Sequence, residues 1–542
     1  MKPLWGTGLR VGRWRGAFTR TAPFALLLIF WGLSVTNLGR YPLVEEDEPW
    51  ILSPGYKLFT QGVYGSDLFR GFHGMDQHYF EFMPMMAWLE GAATRILGVG
   101  VLQMRWLPVS LGAITLALTY ALARRFTRPA VGVVALALLL WWQWTAGQQR
   151  MLGSGIPLID ITRIARYDML VLPLGLATLW AAWQAQRTGL ARFDLLAGGL
   201  GGLAGLAHLY GLFWLGGVLA LRLAGRGFSA RRAVRTLAVV AAGAALTWSG
   251  WLAYIGLHWP DFVAQTAQYG DRFGVLSPAF YLANLRAESH RYYLGARSLA
   301  ALGRPGFWLL VVGVPTAWVA LGIAVRRQRK RGLAWLWFLS ALFPVLFALL
   351  IYIKTFNYLI SVVPLWAMML AWALGQLYRW RPAGRLAAAA LMGVVVVQGS
   401  LSLAWMQTYA ARAEPPERLY ADLRHAVPRA SRVLGPGRYW LALTDRDYRS
   451  LILPFLIANP KYKADAVSFD QAMAAVAPQI VLVDLYSDEF QNNYAPPELR
   501  HRPNLIRDYL LRHQARLLQT IPDNYGQPVD VYQLEVEYNQ AH

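Results

Sequence analysis

The sequence contains no cysteine, which excludes disulfides and cysteine-based metal sites. It is also poor in charge: 15% of its 542 residues are Asp, Glu, Lys or Arg, against 56% apolar. A soluble domain cannot hide that much apolar surface, whereas a membrane protein can. No internal repeat stands out, which argues against the inverted-repeat plan of many transporters. The chain has long apolar runs instead. Several reach the roughly 20 residues needed to cross a hydrocarbon core about 30 Å thick, and they are too many to be one secretory signal.

The net charge of +22 is unevenly spread. Met1 to Tyr409 carries 37 Lys/Arg against 14 Asp/Glu, a net of +23, while Ala410 to His542 carries 15 against 16, a net of −1. The basic excess clusters in short breaks between apolar runs, such as Arg124/Arg125/Arg128, Arg187/Arg192, 222–235, 326–331 and 379–385. These breaks read as cytoplasmic loops under the positive-inside rule. They lack the aromatic-interleaved stripe of a nucleic-acid interface.

Lys2, Arg10, Arg13, Arg15 and Arg20 precede the first apolar run and place the N-terminus in the cytoplasm. Eleven spans are predicted: 23–38, 107–123, 130–146, 169–186, 195–208, 211–223, 236–257, 306–324, 333–352, 358–377 and 386–405. An odd number leaves the C-terminus outside. Segment 82–99 is apolar but carries Glu90 and Arg95, and is expected to be interfacial or partly inserted, because a full span there would invert every later basic loop. With this topology 13 of the 14 acids before Ala410 lie on the outer side, Asp194 being the exception.

Three outer segments are long: 39–81, 147–167 and 258–305. The third contains Tyr269, Arg272, Arg286, His290, Arg291, Tyr292, Tyr293 and Arg297, a mixture suited to anionic headgroups or sugars. Pro415-Pro416 ends the membrane pattern, so residues 1–409 form the expected transmembrane domain and 410–542 a soluble extracytoplasmic α/β domain. Strands are predicted at 431–434, 439–443, 480–485 and 529–534, with helices at 470–477 and 504–518. The expected fold class is a polytopic α-helical membrane protein of about 11–13 spans with this α/β domain at its end.

The densest chemical signal is Glu45-Glu46-Asp47-Glu48, just outside the first span. Adjacent carboxylates repel, so some should titrate high and supply a general base; the bland alternative is a solvated acidic loop. Glu81 lies where that loop returns to the membrane, and Asp168 at the outer mouth of the next helix but two, where it also suits a helix N-cap. Arg105, Arg163, Arg166 and Lys354 are cations on the same face, with snorkelling as the alternative for Lys354. Such a set suits a reaction whose leaving group is a lipid phosphate. A divalent cation bridged by Asp47, Glu48 and Asp168 is conceivable, but the spacing carries no metal signature.

Taken in order, the acidic pair after the first helix, Tyr79-Phe80-Glu81-x-x-Pro84, Arg105-x-x-Pro108-x-Ser110-x-Gly112, Arg163-Ile-Ala-Arg166-x-Asp168 and Lys354-x-x-x-Tyr358-Leu359-x-x-x-x-Pro364 resemble the GT-C membrane glycosyltransferases. The nearest branches are the protein O-mannosyltransferase-like proteins and the lipid A aminoarabinose transferases. The resemblance implies inverting transfer of a sugar from a polyprenyl phosphate to a lipid, glycan or protein hydroxyl on the outer face of the cytoplasmic (inner) membrane, among membrane lipids as partners. It implies catalytic roles for Asp47, Glu48, Glu81 and Asp168, and a phosphate site of Arg105, Arg166, Lys354 and Tyr358 whose three cations should meet. Where the aminoarabinose branch has a lysine after the glutamate, this chain has Phe82. A lipid-linked polysaccharide transporter or flippase is the alternative function; it would place ionisable residues near mid-bilayer.

Overall fold

The computed structural model describes residues 8–144, 153–223, 229–292, 304–500 and 504–535. Lys2, Tyr293, Arg297 and part of the 222–235 basic break lie outside the described residues. The membrane part consists of α1 (Gly8–Val35), α2 (Asp47–Gln61), α3 (Pro84–Leu97), α4 (Val101–Phe126), α5 (Pro129–Trp141), α6 (Pro157–Ile161), α7 (Asp168–Thr188), α8 (Ala191–Ala207), α9 (Leu212–Leu223), α10 (Ala230–Leu257), α11 (Trp259–Thr266) and α12 (Pro278–Arg291). Next come α13 (Pro305–Trp308), which continues through a π-helical stretch into α14 (Val314–Gln328), then α15 (Arg331–Leu350), α16 (Val363–Trp380) and α17 (Pro382–Arg412). Proline opens many of these helices at positions where its missing N–H costs nothing.

Every expected span has a helix, and the chain is a multi-pass membrane protein. Among the described residues five helices are long and apolar enough to cross alone: α4, α10, the α13–α14 run, α15 and α17. Helices α7 and α16 sit at the centre of the bundle, buried along most of their length. Small residues set the tightest packing. A Cβ at Gly198 of α8 would fall 2.1 Å from the Val240 carbonyl oxygen of α10, and one at Gly243 would fall 2.3 Å from that of Leu195. Close approach of backbones is how membrane helices gain dispersion energy without a hydrophobic drive. Asp194, the acid that broke the charge pattern, is neutralised by Arg222 at 2.9 Å.

Segment 82–99 forms α3, whose 14 residues span about 21 Å at 1.5 Å each, short of a bilayer core. Its end exposes Ile96 and Leu97 while Glu90 is buried. The loop before it is more ordered than its composition suggests, because α2 lies within it. Gly62, at φ +76°, ends α2 in the left-handed region. The pair packs backbone to backbone: a Cβ at Gly55 would lie 1.8 Å from the Ala87 carbonyl oxygen.

After Pro415 the chain builds a five-stranded mixed sheet from β1 (Arg432–Gly435), β2 (Asp447–Ser450), β3 (Ile480–Asp484), β4 (Arg516–Pro522) and β5 (Pro528–Gln533), in the order β2-β1-β3-β5-β4. β1 runs parallel to β2 and β3, while β5 is antiparallel to β3 and β4. Two expectations are corrected. The strand predicted at 439–443 is a 3-10 helix, Gly437–Ala442, following Pro436. The helix predicted over 504–518 ends at Arg512, where Gln514 turns to φ +50°, and the rest becomes β4. The sheet domain docks on the segment between α1 and α3 through Arg70–Asp447 (3.3 Å), the His73 ring nitrogen on the Tyr462 carbonyl (2.8 Å), and the Tyr525 hydroxyl donating to the Arg40 carbonyl (3.2 Å).

Candidate active site

The acidic run opens α2, with Asp47 and Glu48 in its first turn, where the helix dipole favours negative charge. A helical start sends the four carboxylates in different directions. Glu48 points inward and is fully buried against Arg105. Arg105 Nε and one terminal nitrogen donate to the two Glu48 oxygens at 3.0 and 2.9 Å, and its remaining donors go to the carbonyls of Leu38, Pro42 and Leu43. The Ala165 N–H adds a further bond to Glu48 at 2.8 Å. A buried pair with all its bonds made fixes geometry. It ties the end of α1, the acidic run, α4 and the approach to α7 into one knot.

Glu46 points to the sheet domain. It accepts from the backbone N–H groups of Gly437 (2.6 Å) and Arg438 (3.4 Å) and from Arg438 Nε (3.3 Å). Arg438 also lies 3.7 Å from Asp484, whose carboxylate accepts from the Tyr439 hydroxyl at 2.9 Å. Burial pushes the Glu46 carboxyl up, with Arg438 opposing.

Glu45 and Asp47 face Arg166. That guanidinium bonds Asp47, Glu45 (3.2 Å) and Asp168 (3.0 Å), so one cation gathers three carboxylates from two distant parts of the chain. Asp168 is the first residue of α7; its carboxylate goes to Arg166 and to the Tyr210 hydroxyl (2.7 Å), and it makes no N-cap bond. Within the acidic run Asp47 has the most open side chain, 35% exposed against 15% for Glu45, 16% for Glu46 and none for Glu48. Burial pushes Glu45 up to about 7, with Arg166 opposing and Asp47 reinforcing the rise.

Glu81 belongs to the same region. Gln268, beyond α11, donates to it at 3.1 Å, and burial pushes its carboxyl up to about 7, opposed by Arg272 and reinforced by Asp47. Arg272 stacks on Tyr269 at 4.1 Å, is exposed, and has no ion-pair partner among the described residues. Phe82 packs on Tyr167 (5.8 Å), Trp50 (6.4 Å) and Tyr79 (6.4 Å), an apolar wall in the position where the aminoarabinose branch has a lysine. Tyr358 lies 5.0 Å from the Tyr210 ring and 5.4 Å from that of His208, which in turn stacks on Tyr167 at 4.6 Å.

Each of the three cations expected at one phosphate has protein partners of its own. Arg105 spends its donors inside the knot with Glu48, and Arg166 is held by carboxylates. Lys354 pairs with Glu288 (2.9 Å) and caps the last carbonyls of α15, Phe347 (3.4 Å) and Ala348 (3.2 Å). Glu288 is shared with Arg291. A bridging cation does not fit Asp47, Glu48 and Asp168 either, since Glu48 faces Arg105 and Asp168 faces Arg166 and Tyr210; among the described residues no group of three acids or histidines is set to hold a metal.

Sequence reasoning missed Tyr210, His208 and Gln268 as members of the site. Arg272 it placed only among a mixture of outer residues, and Arg438 it did not single out. The available signal for Tyr210 was its place in the two-residue gap between the spans at 195–208 and 211–223.

No protein-family model and no curated protein matches the chain. Among solved structures, ArnT from Cupriavidus metallidurans, a lipid A aminoarabinose transferase, aligns in the apo state with a TM-score of 0.58 at 14% identity over 96% of this chain and 98% of that one. Bound to undecaprenyl phosphate, ArnT aligns at 0.56 and 14% identity, covering 94% and 97%. The chain has the GT-C fold. The archaeal oligosaccharyltransferase AglB from Archaeoglobus fulgidus, in complex with an inhibitory peptide and a dolichol-phosphate, aligns at 0.56 and 14% identity over 88% of this chain and 71% of that one. The GT-C likeness to ArnT extends through the sheet domain, given the coverage of both chains.

Proposed function

We propose that this protein is an inverting glycosyltransferase that moves a sugar from a polyprenyl phosphate to an acceptor hydroxyl on the extracytoplasmic face of the membrane. The observation that carries the reading is Asp47: the most open carboxylate of the acidic run, held by the Arg166 it shares with Glu45, while Glu46 and Glu48 are committed to Arg438 and Arg105. The GT-C fold and the polyprenyl phosphates bound to ArnT and AglB support the donor class.

In this mechanism Asp47 takes the proton of the acceptor hydroxyl as that oxygen attacks the anomeric carbon from the face opposite the phosphate. The bond from that carbon to the phosphate oxygen breaks, and its electron pair leaves with the polyprenyl phosphate. Arg272, the uncommitted cation beside Glu81, stabilises the departing charge. Glu81, with its carboxyl near neutral titration, donates a hydrogen bond in its protonated form. Arg166 positions Asp47 against Asp168, and Glu48 with Arg105 holds the start of α2. The apolar wall of Phe82, Tyr167 and Trp50 keeps water from the sugar.

The test is the fate of the sugar–phosphate bond. The full chain in liposomes, given labelled polyprenyl-phosphate sugars and a panel of lipid, glycan and peptide hydroxyl acceptors, is expected to leave free polyprenyl phosphate and labelled acceptor. Movement of intact lipid-linked sugar across the bilayer, with that bond never broken, would establish a flippase instead.

A further inference from the structure

A cavity of about 390 Å³ lies where the end of α17, the β4–β5 turn and the segment leading into the acidic run come together. Its size falls within the about 300–1,000 Å³ of small-molecule sites. Three tyrosines line it, Tyr409, Tyr486 and Tyr525. Tyr525 stacks on Tyr409 at 5.4 Å, and the Tyr486 ring is held from one side by Arg438 at 4.5 Å, so these rings are fixed before anything binds. Several polar side chains in the lining are uncommitted. The Tyr486 hydroxyl, the Arg412 guanidinium and the Gln527 amide have no side-chain hydrogen bond or ion pair among the described residues. The turn that carries Gln527 is rigid, because Asp523 accepts from the backbone N–H groups of Tyr525 and Gln527, both at 2.8 Å.

Rigid aromatic rings beside planar donors and acceptors match a pyranose, which offers an apolar C–H surface and a rim of hydroxyls. Charge separates this from a phosphate or carboxylate site: the lining holds one cation, Arg412, against two carboxylates, Glu414 and Asp523. The place is also informative. Leu43, part of the lining, stands four residues before Asp47, at most about 14 Å along the chain. Arg438, which holds the Tyr486 ring, is the residue that grips Glu46.

We infer that this cavity is a subsite for neutral saccharide, holding the sugar portion of a glycan-bearing acceptor beside the catalytic carboxylate. The inference rests on the glycosyltransferase reading for the word acceptor, but saccharide binding itself does not. Full-length protein in nanodiscs is titrated with neutral di- and trisaccharides of hexose and N-acetylhexosamine, and with their phosphorylated counterparts, by saturation-transfer NMR. Neutral sugars are expected to bind. Gln527→Trp, which fills the cavity from an uncommitted position, should weaken binding at least 10-fold, and Tyr486→Phe, which keeps the ring under Arg438, several-fold, with unchanged thermal midpoints. The inference is overturned by equal binding to Gln527→Trp, by preference for the phosphorylated sugars, or by no binding of any sugar. No donor is present in this experiment, so saccharide binding without sugar release from polyprenyl phosphate would sink the transferase reading alone, and release without saccharide binding would sink the subsite alone.

Discussion

Glu48 follows Asp47 in sequence, yet its side chain is buried against Arg105, which comes from a distant helix. With side chains wholly buried and each donor of Arg105 placed on Glu48 or a backbone carbonyl, the pair acts on position. Removing one partner leaves an uncompensated buried charge, so Glu48→Ala should cost about 3–5 kcal/mol of stability, read as a large fall in thermal midpoint. At Glu45 and Glu81 burial works the other way, pushing both carboxyls from 4.5 to about 7. The folded chain then binds more protons than the unfolded one between those values, so stability is full below about pH 4.5 and declines as pH rises through about 7. Thermal midpoints at pH 5 and pH 8 should differ in that direction, and Glu81→Gln should flatten its share of the slope. The acids themselves were legible because a run of four carboxylates next to an apolar span is rare. Which of them stays open was not, since that depends on Arg105, Arg166 and Arg438, which reach the run from three other segments.

Helices α2 and α3 carry the site's floor, and their contact depends on Gly55 and Gly91, whose backbones touch. Gly91→Leu should separate the pair: a Cβ there already falls 2.4 Å from Gly55. The expected outcome is loss of the folded, monodisperse peak in size-exclusion chromatography. At the other end of the run, the 3-10 helix Gly437–Ala442 grips Glu46 from the sheet domain. Arg438→Ala should lower turnover at least 10-fold with little change in polyprenyl phosphate affinity, and Arg438→Lys should recover part of it, because the charge returns without the Nε bond. Sequence patterning found the spans well because hydrocarbon imposes one long apolar period. It failed at 439–443 and 504–518, where short apolar runs suit strand and helix alike and a single turn residue decides.

At the scale of the whole molecule, charge asymmetry, eleven apolar runs and an even-handed C-terminal segment anticipated a polytopic bundle with a C-terminal α/β domain, and the GT-C fold accords with that. The convergence of segments 45–48, 81, 166–168, 210 and 268–272 on one face is a property of that bundle, invisible to local patterns. The proposed phosphate contact shows the difference most clearly: Lys354 is paired with Glu288, whereas Arg272 has no ion-pair partner among the described residues and acts on Glu81 only through its charge. Arg272→Ala should therefore raise the dissociation constant for undecaprenyl phosphate about 10-fold or more, while Lys354→Ala should act mainly on thermal stability. The most direct measurement compares wild type with Asp47→Asn in the labelled-sugar transfer assay, alongside undecaprenyl phosphate binding. Loss of a general base is expected to lower transfer by about 10²–10⁴-fold with lipid-phosphate affinity and thermal midpoint unchanged. Transfer at the wild-type rate by Asp47→Asn would contradict the central claim.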